Sequence, residues 1–561
     1  VFFMALIDIA PFLTEEYISK ISSLYPDIEE KYKENPYFLL DIIIDNEDIT
    51  VPTFIDIDKN TILKTFELRL IEMKYACKTV LLENEQKGNS WMPLNSFYKK
   101  VTKLLNKTKH PLLKGTIRPY LNYYNNDFVI EKNTISLYET RWKEFCIYNG
   151  IKSAKKNSQD FSKYKPIDNT NILSDIQMKS AENIVKYGGN ISLLTGGPGT
   201  GKTTVLKAIV TGINEYYPEK KIALLAPTGK AANRIQEVFN YQDIDISTIH
   251  LYVGWEYPSF KMKKIKANIA KTDIIFVDEA SMPNVEVLSK LFELVNLSTT
   301  KIIFIGDPNQ LPAIGTGDII NDLRRMNVYE EHLSINYRSR LAINKNATAL
   351  LMGDNNIETD ETFNFINICD ENNLESLEEI MASSDENTIL LTPYRKEKLI
   401  GNVIKMNKNI HNKKYGELRH DFINGWCIGD RVILKKTNYK RKYFNGDTGI
   451  LTGYKANVVT ENRVKTDAYI VTLYNGKKVF VTDDSNIELA YAITINKSQG
   501  SEYNEVNIYI PKYSTFITKK MLYTAITRAK NKVNLYTTKE IYNLVCSFKE
   551  KQRKTMISLW I

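Results

Sequence analysis

The stretch Ile191–Val210, ISLLTGGPGTGKTTVLKAIV, carries an apolar segment into a glycine-rich turn and out into an amphipathic one. From Gly196 to Thr203 the spacing is G-x-x-x-x-G-K-T. In this pattern backbone amides cradle phosphates, the lysine reaches the β- and γ-phosphates and the hydroxyl holds Mg²⁺. Gly197, Pro198, Gly199, Thr200, Gly201, Lys202, Thr203 and Thr204 are therefore expected to contact ATP, with Thr203 on the metal. About 75 residues further on, IIFVDEASM ends in Asp278 and Glu279. An acid at such a strand end binds Mg²⁺ in phosphate-loop ATPases. A second, adjacent acid can polarise the attacking water, so the pair points to hydrolysis rather than transfer to a small molecule. The run KIIFIG leads into DPNQLP, which places Gln310 where it can sense the γ-phosphate. Kinases, GTPases, transporters and motors all use the loop, so the loop alone does not choose among them.

These side chains need strands that end together. ISLLTG, KIALLAP, DIIFVDEA and KIIFIGDP alternate with helical segments, and each ends in small, polar or acidic residues. Parallel strands of an α/β sheet present active groups at their carboxyl ends in this way. The pattern resumes with TILLTPY at Thr388, and then with LAYAIT, EVNIYIP and KVNLYTT. Between them, residues 428–486 are rich in turns and β-branched residues, and Asn475-Gly476 marks a hairpin. The expected organisation is an N-terminal accessory domain at 1–152 and a polar linker at 153–171. A first α/β domain spans 172–335, and a second comprises 336–427 and 487–561. A small β domain at 428–486 is inserted in the second.

The chain has 561 residues and a formal net charge of +9. That balance permits a polyanionic partner, although abundant Lys, Asn, Ile and Tyr also match an AT-rich genome. No run approaches 18 apolar residues, so no membrane span is expected. VFFMALIDIAPFL has no basic flank and contains Asp8, which predicts a packed first element rather than a signal peptide. Cys77, Cys146, Cys369, Cys427 and Cys546 are far apart with no C-x-x-C, which suggests neither a zinc site nor a disulfide framework. A cytoplasmic location fits this usage.

Taken in order, LSDIQ, GGPGTGKTT, APTGKAANRI, STIH, VDEAS, GDPNQLP, NYRS, FNGDTG, AYAITINKSQGSE and YTAITRAK resemble the motifs of a superfamily 1B helicase of the RecD-like branch. They span Leu173–Lys530. GDPNQLP and KSQGSE have the wording of the branch moving 5′→3′; NYRS is nearer the UvrD-like wording. The resemblance implies two RecA-like parallel-sheet motor domains, a small β-barrel-like insertion in the second, and a mixed, mainly helical N-terminal domain. It implies that Gln177 reads the adenine edge and that Tyr337 stacks on the base. Gln310 would couple nucleotide state to DNA grip, Glu502 would help close the site, and Arg338 and Arg528 would be arginine fingers. An arginine in that role is worth roughly 10³–10⁵ in rate. Thr228, Thr248, His250, Ser498 and Gln499 match positions that touch the single strand. LKKTNYKRKYF adds Lys435, Lys436, Lys440, Arg441 and Lys442 beside aromatics, a composition suited to a single-strand track and equally to a solvated loop.

The family carries a β-hairpin pin between STIH and VDEAS, here about 252–270, with Tyr252, Trp255, Tyr257 and Phe260 flanking a turn. Tyr257 and Phe260 are its candidate DNA contacts. One departure stands out: Asn496 occupies a position that is usually His, and asparagine cannot be protonated. The first 150 residues resemble the family more faintly. Together these features imply an enzyme, a 5′→3′ ATP-dependent DNA helicase using ATP and Mg²⁺. Its partners would be single-stranded DNA and duplex junctions, with room for protein partners of a repair, recombination or replication complex. An RNA helicase or a translocase that does not unwind is the alternative, and a catalytically silent DNA-binding scaffold is the third reading.

Overall fold

The computed structural model describes residues 66–105, 127–239, 244–255, 268–337, 342–368, 372–395, 401–416, 425–438, 443–459 and 465–561, with positions 117, 121, 265 and 441 besides. These residues fall into two bodies, each described by itself.

The first body contains α1 (Phe66–Gln86), β1 (Met92–Pro93), α2 (Leu94–Leu105), β2 (Phe128–Glu131) and β3 (Thr134–Leu137), from which α3 (Tyr138–Ala154) leads on. Its three strands pair antiparallel in the order β1-β3-β2. Its core is built from Val80, Phe97, Val101 and Ile135, all fully buried. The segment 553–560 belongs here and not with the second motor domain, where its place in the chain would put it. The physical reason is aromatic and polar anchorage. Trp560 stacks edge-on against Phe145 at 5.9 Å, Lys554 lies 4.9 Å over Trp91, and Trp91 Nε1 donates to Thr555 O at 3.0 Å. The buried Glu144 carboxylate accepts from Ser90 Oγ and from the Met556 amide.

The second body holds two parallel sheets and one antiparallel sheet. The first motor sheet is built from β4 (Ile191–Gly196), β5 (Ile222–Ala226), β6 (Asp245–Thr248), β7 (Ile274–Val277), β8 (Lys301–Gly306) and β9 (Tyr329–Leu333). Their order is β6-β5-β7-β8-β4-β9, parallel throughout. β4, β5, β7 and β8 are buried at every residue, as strands covered on both faces must be. The intervening helices are α4 (Asp175–Lys186), α5 (Lys202–Tyr216), α6 (Gly229–Val238), α7 (Ile249–Tyr252), α8 (Val285–Leu294) and α9 (Ile319–Arg325). Lys301 is an unusual first residue for β8. It is 2% exposed, its ammonium donates to Gly189 O, and burial pushes its pKa down to about 7.

The polar stretch 153–171, expected to be a linker, packs onto this domain. Phe161 and Tyr164 enter its core, and Phe161 meets Tyr217 edge-on at 5.2 Å. Gln159 Nε2 donates to Asp273 O at 2.9 Å and Thr299 O at 2.6 Å. Two aromatics three residues apart outweigh the polar composition around them.

The second motor sheet contains β10 (Phe363–Asn367), β11 (Thr388–Thr392), β17 (Ala492–Thr494), β18 (Tyr503–Tyr509) and β19 (Ala529–Thr537). Its order is β10-β19-β18-β11-β17, again parallel. Helices α10 (Ala342–Met352), α11 (Asn372–Ser383), α12 (Val403–Tyr415), α13 (Lys519–Ile526) and α14 (Lys539–Ser547) accompany it, and a last short helix, α15 (Ile557–Trp560), belongs to the first body. Between α12 and β17 the chain detours through β12 (Arg431–Leu434), β13 (Thr448–Val459), β14 (Lys465–Leu473), β15 (Lys478–Val481) and β16 (Ile487–Leu489). These form an antiparallel sheet in the order β15-β14-β13-β12-β16 over their own core.

The detour leaves and returns at one carboxylate. Asp430, just before β12, accepts from the Cys427 amide at 2.7 Å and from the Tyr491 hydroxyl, just before β17, at 2.9 Å. It also pairs with His411 Nδ1 on α12 at 2.8 Å. Arg431, next along, lies 5.6 Å over the Tyr491 ring and donates to Thr388 O at 2.9 Å. Donor atoms of His411, Cys427 and Asp430 lie within 4.8 Å of one another. The hydrogen bonds to Asp430 make this cluster a junction clamp. Among the described residues no helix is long and apolar enough to cross a membrane.

Candidate active site

The glycine turn places α5 directly after β4, at the carboxyl edge of the first sheet. Gly201 is left-handed, with φ of 85°, and caps α5 with no side-chain bond, so the first amides of the helix face the cleft and favour anions. A Cβ at Gly201 would fall 2.4 Å from Gln177 Nε2. Lys202 Nζ is held by the carbonyls of Gly196 at 2.7 Å and Gly197 at 2.9 Å. The Thr200 hydroxyl is turned inward, donating to Gly197 O at 2.8 Å, which stiffens the loop.

A cleft of about 510 Å³ opens here between the two motor sheets. From the first domain it gathers Gln177, Pro198, Gly199, Gly201, Lys202, Thr203, Thr204, Asp278, Glu279, Gln310 and Tyr337. From the second it gathers Glu502 and Arg528. Gly197 and Thr200 stand behind this lining, with Gly197 facing the Tyr523 hydroxyl.

Asp278 and Glu279 end β7 side by side. Glu279 is left-handed at φ of 49°, a backbone state that costs a non-glycine residue about 1–3 kcal/mol, and its amide donates to Asp278 Oδ1 at 2.9 Å. Burial, and then the neighbouring charge of Glu279, push the Asp278 carboxyl up to about 6; the Glu279 amide, Lys202 and Arg234 oppose the rise. Two adjacent acids, partly desolvated and repelling one another despite Lys202 and Arg234 nearby, match a hard cation bound through oxygen. The Thr203 hydroxyl lines the same cleft. The donor set therefore fits Mg²⁺.

Gln310 is 5% exposed and its Oε1 has no hydrogen-bond partner. An amide oxygen orphaned at the cleft wall suits contact with a ligand. Arg528 is 4% exposed, with Nε donating to Thr524 O at 3.0 Å and Nη1 to Ser501 O at 3.2 Å. Tyr337 is half exposed at the cleft rim; its amide donates to Gly199 O at 2.9 Å and its hydroxyl lies 2.6 Å from Ser174 Oγ.

Other side chains differ from expectation. The Gln177 amide is engaged at both ends: Oε1 accepts from the Ser174 amide at 2.9 Å, completing the capping box of α4, and Nε2 donates to Thr200 O at 2.9 Å. These bonds brace the phosphate loop, and they leave Gln177 one further N–H at the cleft it lines. Ser498 is fully buried and its hydroxyl donates to Ile495 O. Gln499 is 7% exposed and its Nε2 reaches Leu311 O, on the other motor domain, at 3.1 Å. The turn that carries them is covered by α13 and the facing domain.

The Thr228 and Thr248 hydroxyls cap α6 and α7, accepting from Ala231 and Leu251 amides at 3.2 Å. His250 is half-buried against Trp255 at 5.9 Å. Tyr252, expected in the pin, is 6% exposed and bonded to Thr272 Oγ1 at 3.0 Å. Arg338, Tyr257 and Phe260 lie outside the described residues, as do Lys440 and Lys442. Asn496 lies in a 3₁₀ turn whose cap is the Thr494 hydroxyl. Of the other basic residues, Lys435 joins Arg395 and Lys497 around Glu488, at 3.4, 3.0 and 2.8 Å.

Sequence reasoning missed Arg234, on α6 at the cleft. Burial works against its charge, but the carboxylates of Glu502, Glu279 and Asp278 outweigh burial and hold its pKa above the ordinary value. Arg234 stands in the APTGKAANRI segment, on a helix that starts at the sheet's carboxyl edge, and its place in that motif was the available signal.

An AAA domain model matches residues 181–316, and a UvrD-like helicase C-terminal domain model matches residues 489–536. An uncharacterized protein of Methanocaldococcus jannaschii is 29% identical over 457 residues, covering 66% of this chain and 38% of that protein. RecBCD enzyme subunit RecD of Buchnera aphidicola subsp. Schizaphis graminum is 27% identical over 466 residues, covering 66% of this chain and 75% of that subunit. The ATP-dependent RecD2 DNA helicase of Deinococcus radiodurans is 27% identical over 357 residues, covering 62% of this chain and 46% of that enzyme. The chain thus spans well under two thirds of the first and last of these relatives. Over about two thirds of its length the chain is similar to proteins named as RecD subunits of the RecBCD enzyme and as an ATP-dependent RecD2 DNA helicase.

Proposed function

We propose that the chain is an ATP-dependent DNA helicase that moves 5′→3′ on single-stranded DNA and unwinds duplexes at junctions. The observation that carries this reading is one cleft faced from both motor domains, by Lys202, Thr203, Asp278 and Glu279 from one side and Arg528 and Glu502 from the other. A site divided between two domains of the second body supports hydrolysis coupled to movement. Lys202, at the mouth of the loop, would draw the β- and γ-phosphates. Thr203 and Asp278 would hold Mg²⁺, which neutralises phosphate charge when bound. Glu279 would accept a proton from the attacking water, and Gln310 would report whether the γ-phosphate is present. Arg528 would meet transition-state charge from the second domain, so hydrolysis would wait on closure. Names of the relatives that include RecD favour a DNA track and leave open a role within a larger repair or recombination assembly.

ATP turnover measured with no nucleic acid, with single-stranded DNA and with RNA tests the proposal. DNA stimulation that is abolished in Lys202→Ala and Glu279→Gln, with nucleotide binding retained by Glu279→Gln, is expected. Stimulation by RNA alone makes the track RNA, and no turnover under any condition makes the chain a scaffold. Unwinding from 3′ overhangs only would overturn the polarity.

A further inference from the structure

The motor cleft contains a cation that the phosphate-binding motifs do not explain. Arg234 lies on α6, six residues after the Thr228 cap, and its Nη2 is 3.0 Å from Oε1 of Glu502 on the other motor domain. Glu502 has a second cation nearby, Lys530, but at 3.9 Å and from its own domain. Arg234 therefore bridges the halves at this point. The pair lines the same cleft as Lys202, Asp278 and Glu279. Side-chain exposures of 42% and 17% would make an isolated pair of this kind a weak stabiliser. Its importance lies in what is joined to it.

Glu502 directly follows Ser501, whose carbonyl holds Arg528 Nη1 at 3.2 Å. The same turn bears Gln499, bonded across the domains to Leu311 O. An uninterrupted path thus runs from Arg234 through the Glu502 carboxylate and the Ser501–Glu502 peptide to the guanidinium of Arg528. We infer that Arg234 is a positioning residue: by holding Glu502 across the cleft it fixes the Ser501 carbonyl, and through that carbonyl it aims Arg528 at the nucleotide. The inference rests on reading the cleft as an ATP site. It gives the first motor domain a direct hand on the arginine supplied by the second. The device acts only when the halves approach, because the ion pair spans them. It also makes the arrangement directional: Arg234 faces Asp278 and Glu279 as well as Glu502, so an acid at position 234 would be repelled from both sides.

The test uses the full chain and direct binding. An arginine aimed at transition-state charge strengthens binding of ADP–aluminium fluoride, a mimic of that state, more than binding of ADP. Arg234→Gln and Arg528→Gln are each expected to cut the preference for ADP–aluminium fluoride over ADP by about tenfold, the size of one charged hydrogen bond. The double variant is expected to lose no more than either single, because the two act on one path. Arg234→Lys keeps a cation near Glu502 and should retain part of the preference, which guards against simple misfolding. An unchanged preference in Arg234→Gln overturns the inference, and so do losses that multiply in the double variant. If the parent chain shows the preference but no DNA-stimulated turnover, the helicase reading falls and the positioning role stands. If the parent chain binds neither species, both fall.

Discussion

Lowering the pH should release Mg–nucleotide from this cleft well before ordinary carboxylates titrate. Asp278 is raised from 3.8 to about 6, first by burial and then by the charge of Glu279. At pH 5, one unit below that value, roughly a tenth of a group with a pKa of about 6 is ionised, against more than nine tenths of an ordinary Asp. If Asp278 must be ionised to hold the metal, metal-dependent affinity falls about tenfold between pH 7 and 5. Fluorescent-nucleotide binding with Mg²⁺, titrated beside Asp278→Asn and corrected for the separately measured protonation of Mg–nucleotide, measures the limb. Glu279→Gln removes the second-largest cause and should move the midpoint to lower pH. Arg234→Gln removes an opposing charge and should move it up. The stability consequence has a fixed sign. The folded pKa lies above the unfolded one, so the contribution of this group to stability is full at acid pH and is lost as pH rises through about 6. Asp278→Asn should therefore be at least as stable as the parent at pH 8 while losing metal-dependent binding. A midpoint near pH 4, or one that Glu279→Gln leaves in place, would refute the reasoning.

Three further outcomes follow from single features. Tyr523→Phe removes the bond from its hydroxyl to Asp307 Oδ2 across the motor halves, 2.9 Å and buried; about 1.5–3 kcal/mol is at stake for a bond to a charged group, so strand-stimulated kcat should fall by tenfold or more, and an unaltered kcat would remove this bond from the coupling. Lys301→Met abolishes a titration that lies between the unfolded value of 10.5 and a folded value of about 7. The parent's contribution from Lys301 is present above the unfolded value and lost as pH falls through the folded one, so denaturation should show the advantage of the methionine shrinking from pH 7 to 10. Replacing Glu256–Lys261 by a short Gly-Ser turn should leave strand-stimulated ATPase largely intact and remove most unwinding; equal loss of both would make the segment part of the fold.

The phosphate loop, Asp278 and Glu279 were legible because their chemistry is written in contiguous residues at a strand end, where local spacing fixes direction. The inner strands of the two parallel sheets were legible because strands buried on both faces read as largely apolar runs, whereas the half-exposed edge strands β6, β9 and β10 were not. Burial by distant segments was not legible. Ser498 and Gln499 look exposed in a polar string, yet the facing domain and α13 cover them. Phe161 and Tyr164 lie in a stretch whose average is polar, and a few side chains, with Gln159, hold it to the domain. Arg234 stands in a quoted motif but was given no role, since its partner Glu502 is 268 positions away. The packing of 553–560 on the N-terminal body has the same cause: Trp560 finds Phe145 only in three dimensions.

The clamp at Asp430 bears on how force travels. A domain inserted through two independent linkers can swing like a flap, but here the outgoing and returning chains are tied to α12 and to each other by one carboxylate, with Arg431 stacked on Tyr491. A push on the inserted sheet cannot be absorbed by a slack joint. A load on the sheet would arrive at β17 and α12, and β17 leads through the 3₁₀ turn Ile495–Ser498 to Gln499 and Glu502. The insertion is thus geared to the cleft, and a load on it would be felt where ATP is expected to be cut.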